Sequence, residues 1–120
     1  ADDAVDSESD AVREVCAVLH SSGERRRAAT VQSYFADLRG VLREGHRTLA
    51  PNSPAWFVIG GARLKGSYVP SDLIFAELAE QEGFAVESLL VARDLIHARR
   101  KFGAIGYVAP RESVVALLKP

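Results

Sequence analysis

Methionine is absent from the chain, cysteine and tryptophan occur once each, and neither sign of charge prevails. A lone Cys16 excludes an intramolecular disulfide, and with no CxxC pattern and no obvious histidine partner in the sequence it reads as a packed thiol rather than a nucleophile. No run of about eighteen apolar residues is present to span a bilayer as a helix. The opening "ADDAVDSESD" is acidic where a secretory signal would be basic and then apolar, so the cytoplasm is the expected compartment. With no methionine before Ala1, the start is either a processed native one or a trimmed one. A formal net charge of -1 argues against a nucleic-acid binder that works by bulk charge alone.

What is present is ordinary for a folded domain. The chain has 120 residues, 48% of them hydrophobic and 26% charged, which suits a single α/β unit without staples. The local charge is less even: "GERRR" and "HARRK" form basic islands, each readable as a solvated face. Residues 1–9 read as an acidic tail and residues 10–120 as one domain.

Hydrophobic spacing places the elements. Val12, Val15, Cys16 and Leu19 share one face of a helix that begins at Asp10 and stops at "SSG", where Gly23 can take a positive φ. A second helix is expected from Thr30, as N-cap, to Thr48. Its apolar stripe would be Val31, Tyr34, Phe35, Leu38, Val41 and Leu42, with Asp37, Arg39, Arg43 and Glu44 opposite. "APNSP" ends it, because two prolines in four residues forbid continuation. "AWFVIGG" carries no polar side chain through Ile59 and predicts a strand covered on both faces, with Trp56 and Phe57 pointing oppositely. Ser71 and Asp72 open a third helix with Leu73, Ile74, Leu78 and Ala79 inward, stopped at Gly83 and Phe84. "AVESLLVARDL" and "SVVALLK" then predict an antiparallel pair. The order is helix, helix, strand, helix, strand, strand.

The glycines of "GGARLKG" do not form a nucleotide cradle. They lack the GxGxxG spacing, about ten residues separate Gly61 from the next helix cap, and Lys65 is not followed by the Ser or Thr of a P-loop. Arg63, Lys65 and Tyr68 nevertheless stand at a strand's carboxyl end, where open α/β sheets bind ligands, and are candidates for substrate contact. His20, His46 and His97 are too far apart for a recognisable metal spacing. Arg111 and Glu112 read as a surface ion pair.

The ordered phrases carry a family likeness. "YFADLRGVLREGHRTLAPNSPAWFVIGG" resembles the segment that follows the catalytic motif in S-adenosylmethionine-dependent DNA amino-methyltransferases, where a helix ends in R-V-L-x-P-G-G and leads into the fifth strand. "GSYVPSDLIFAELAEQEGF" and "PRESVVALLKP" are similar to that family's next loop and helix and to its final strand, so the likeness covers roughly residues 30 to 120. Asn52 stands where the family has glycine and can make the same turn. The cofactor turn, F-x-G-x-G, and the catalytic tetrapeptide, D/N/S-P-P-Y/F/W, are both missing.

The resemblance implies part of a Rossmann-like methyltransferase fold, a half domain of about three strands and three helices. Its final strand would lie between the other two, leaving residues 55–60 at an open edge. It also implies that the glycine stretch borders the target-base pocket and that Arg99, Arg100 and Lys101 approach DNA phosphates, with Phe102 or Tyr107 stacking; the alternative is a solvated basic loop. S-adenosylmethionine is the implied cofactor, and methyl transfer by this chain alone is not expected. Implied partners are a second copy or a complementing half, joined through residues 55–60, and DNA. Two other readings stand beside this one: a noncatalytic assembly module on the same scaffold, and a small enzyme built on Arg63, Tyr68 and His97.

Overall fold

The computed structural model describes residues 9–64, 67–94 and 110–120. Helix α1 spans Asp10–Ser21, α2 Arg25–Thr48, and strand β1 Ser53–Gly60. A short hairpin, β2 Ala62–Leu64 and β3 Ser67–Val69, precedes α3, Ser71–Gln81. Strands β4, Ala85–Asp94, and β5, Arg111–Lys119, complete the α/β fold.

Local chemistry explains most of the boundaries. The Ser9 hydroxyl accepts the Val12 amide at 3.2 Å and caps α1, so the last residue assigned to the acidic tail is a buried part of the fold. Gly23 has φ 79° where α1 stops. Helix α2 begins five residues before the expected Thr30. Arg25–Ala29 are good helix formers, Ala28 is buried, and the Thr30 hydroxyl bonds back to the Arg26 carbonyl at 3.0 Å instead of capping. Asn52 adopts φ 66°, the conformation a glycine would take, and its amide donates to the Lys119 carbonyl at 2.7 Å. Gly83, at φ 102°, sends the Phe84 amide back to the Ala79 carbonyl at 3.0 Å and so ends α3.

The main sheet has the order β1-β5-β4, antiparallel throughout, so the final strand lies between its neighbours and β1 forms an edge. Helix α3 packs on one face, α2 packs on α3, and α1 on α2. That core contains Phe57, Ile59, Val115 and Leu117 from the sheet and Ile74, Phe75, Leu78 and Ala79 from α3. The Phe57 and Phe75 rings lie 4.9 Å apart, centre to centre. Leu73, expected inward, is exposed, and Phe75 takes its place.

Two expectations fail on the opposite sides of these elements. Strand β1 is covered on one face only: Trp56 is 74% exposed, and Val58 and Leu90 are exposed beside it, in rows completed by Ala116 and Val114 of β5. The missing polar residues therefore mark an apolar sheet face that no described residue of this chain covers. Arg39, assigned to the solvent side of α2, is buried. Its Nη1 donates to Glu82 Oε2 at 2.8 Å and its Nη2 to Gln81, so a charge that could not be buried alone is buried as a pair between helices.

Candidate functional site

The carboxyl end of β1, the β2–β3 hairpin, the first turn of α3 and the start of β5 meet at one corner of the sheet. Gly61 leaves β1 there and donates its amide to the Arg111 carbonyl at 2.9 Å. The hairpin pairs Arg63 with Tyr68, which places both side chains on one face of the ribbon. Tyr68 closes over the glycine: a Cβ at Gly61 would lie 3.3 Å from the Tyr68 hydroxyl and 3.2 Å from the Val69 carbonyl oxygen. Gly61 thus lets the hairpin pack close, and a side chain there would have to push its neighbours back by a few tenths of an ångström.

Asp72 is the centre of the corner. It sits in the first turn of α3 with no exposed surface. Its Oδ2 accepts the Ser113 hydroxyl at 2.6 Å and Arg111 Nε at 2.8 Å, and its Oδ1 accepts the Leu73 amide at 2.8 Å. Burial pushes the carboxyl up, but the Ser113 and Arg111 hydrogen bonds, the Leu73 amide and the Arg111 charge together outweigh it and hold the group below its ordinary value. The Asp72 hydrogen bond raises Arg111 in turn, burial opposes it, and the charges of Asp72 and Tyr68 add to the rise.

This arrangement corrects the sequence reading of Arg111 and Glu112. Adjacent strand residues point to opposite faces, so Glu112 turns to the open face and accepts from Arg93 Nε at 2.9 Å, while Arg111 turns to Asp72. Period-two alternation could have separated the two residues. The pairing of Asp72 with Arg111, across 39 positions, has no local signal.

Of the sequence candidates, Arg63 and Tyr68 come together at this corner. Lys65, His97, Arg99, Arg100, Lys101, Phe102 and Tyr107 lie outside the described residues. His20 lies in the last turn of α1, and His46 in the last turn of α2, edge-on to Phe84 at 5.1 Å. Among the described residues no group of three His, Cys, Asp or Glu is placed to hold a metal, and no helix is long and apolar enough to cross a membrane. The corner does not fit S-adenosylmethionine either, since Gly61 is occluded by its own hairpin and the Asp72 carboxylate is already fully engaged.

Comparison with known proteins gives one kind of relative. The chain is 29% identical over 91 residues to the Type II methyltransferase M.BsoBI of Geobacillus stearothermophilus, covering 75% of this chain and 18% of that protein. It is 36% identical over 61 residues to the Type II methyltransferase M.AvaI of Nostoc sp. (strain PCC 7120 / SAG 25.82 / UTEX 2576), covering 51% of this chain and 13% of that protein. M.AvaI of Anabaena variabilis matches with the same figures. No protein-family model matches the chain, and no solved structure matches it significantly. The chain is related to Type II methyltransferases and spans less than a fifth of the length of these curated relatives.

Proposed function

We propose that this chain is a segment of a cytoplasmic, S-adenosylmethionine-dependent DNA methyltransferase, inactive alone and completed by polypeptide that supplies the cofactor turn and the catalytic tetrapeptide. The observation that carries this reading is the similarity to Type II methyltransferases, read together with the β1-β5-β4 order. An edge strand paired, among the described residues, only with β5, and an apolar sheet face around Trp56, invite one further strand and a covering layer.

Within such an enzyme, the β1–α3 corner would border the flipped base, with Arg63 and Tyr68 as contacts to DNA and no residue described here acting on the methyl group. Calorimetric titration of the chain with S-adenosylmethionine tests its inactivity: no saturable heat is expected up to millimolar cofactor, and saturable binding would refute that part of the reading. Co-expression with a polypeptide carrying the two missing motifs should restore cofactor binding and methylation of DNA. A stable complex that does neither counts against it.

A second reading, a homodimeric assembly module without chemistry, draws support from Trp56 on the edge strand, since so large an exposed apolar side chain favours association. Sedimentation separates the two. Under this reading the chain is a concentration-independent dimer and Trp56→Asp yields a folded monomer. A wild-type monomer that gains mass only with the complementing polypeptide removes it.

A further inference from the structure

Resting on the DNA methyltransferase reading, we propose that Arg111 anchors a phosphate site at the β1–α3 corner and that its ligand is a backbone phosphodiester of bound DNA. One edge of the guanidinium is fixed, because Nε is held by Asp72 Oδ2 at 2.8 Å. Asp72 is itself immobile, its two oxygens taken by Ser113, Arg111 and the Leu73 amide. The burial is unequal: the Asp72 side chain is 0% exposed and the Arg111 side chain 32%. Among the described residues no hydrogen-bond partner engages the two Nη nitrogens, so the other edge is displayed as a fork.

That fork has the chemistry of an oxyanion receptor. Two parallel Nη–H donors match two phosphate oxygens, and a guanidinium already oriented by a buried carboxylate loses little rotamer freedom when it binds. The surroundings favour negative charge. Arg63 shares the Tyr68 face of the hairpin, and Glu112, the residue next to Arg111, is diverted to Arg93 on the opposite sheet face. A phosphate gripped here would set the register of the strand beside the base pocket without reading its sequence.

Two probes test the site and its ligand separately. In the first, the isotope-labelled chain is titrated with inorganic phosphate at constant ionic strength, and the Arg111 Nε–H and Gly61 amide resonances are followed. Saturable shifts are expected at both in the wild type, and in Arg111→Ala the titration read at the Gly61 amide should weaken at least about tenfold, because the whole fork is lost. Shifts no larger than chloride produces would overturn the site.

In the second, a labelled DNA duplex of about 20 base pairs is bound across a salt series, where each phosphate contact contributes about 0.9 to the slope of log affinity against log salt. The double variant Asp72→Asn/Arg111→Gln removes both charges without stranding a buried carboxylate, and thermal melting confirms that it folds. Its slope should fall by about one unit. Should it fail to fold, Arg111→Lys serves instead, keeping the charge but losing the fork and weakening binding at unchanged slope. A folded variant that binds duplex as the wild type does overturns the inference while leaving the DNA reading intact. Phosphate binding at Arg111 with no duplex binding upholds the anion site and rejects DNA as its ligand.

Discussion

Helix α3 holds a carboxylate against an arginine at each end, and the two ends divide the burial in opposite ways. At the C-terminal end the guanidinium is hidden, Arg39 being 2% exposed, while Glu82 at 11% reaches the surface and also receives Arg43. At the N-terminal end the carboxylate is hidden and the arginine is displayed. A buried guanidinium spends its donors inside the protein and joins two helices; a buried carboxylate leaves its arginine's outer donors for something else. The same ion pair serves packing or recognition according to which partner the fold covers.

The largest effect that distinguishes the ends is expected from Arg39→Ala. Removing a fully buried partner should cost about 3 to 5 kcal/mol in denaturant unfolding, with Arg39→Met, which fills the space, recovering a substantial part. Asp72→Ala comes next, at about 2 to 3 kcal/mol, because it strands the Ser113 hydroxyl and removes the acceptor of Arg111. An Arg39 variant more tolerant than Asp72→Ala would reverse the comparison.

Acid should loosen both ends. Glu82 is held below its ordinary value first by the Arg43 hydrogen bond, against burial, and then by Arg39, and Asp72 is held low as described above. Groups lowered in the folded state stabilise it fully above the unfolded carboxylate range and progressively less below it. Stability should therefore be flat near neutrality and fall below about pH 4, as the native state is forced to take up protons. Glu82→Gln should flatten part of that fall, and urea midpoints measured between neutrality and strong acid would show it. The smallest effect is expected from Arg43→Ala. Although Arg43 does most to keep Glu82 ionised, its side chain is 59% exposed and water screens it, so the loss should be about 1 kcal/mol or less.

The sequence made the helices and their stops legible because the signals there are local: the spacing of Val12, Cys16 and Leu19, the Gly83-Phe84 stop, and Asn52 standing in for glycine. The family likeness added the place of β5 between β1 and β4. What stayed hidden was set by partners distant in the chain. Arg39 reads as a surface residue until Glu82 and Gln81 are brought to it from another helix. Asp72 reads as a helix-start acid until β5 delivers Arg111 and Ser113. Irregular pairing hid more. Register shifts between Val86 and Ser88 and between Val91 and Arg93 break the alternation in β4, and the three-residue strands of the hairpin are too short to show a period.

The central position of β5 also sets an order of assembly. Strands β1 and β4 share no hydrogen bonds, and each is completed only by residues 111–119, which follow both in the chain. A growing polypeptide can form α1, α2 and α3 early, yet its sheet must wait, with Phe57 and Leu89 uncovered by any strand between them, until those nine residues have been made. Such late, long-range closure slows folding and lengthens the time in which sticky strands are open to other chains, so this chain should mature best where a chaperone is already at hand.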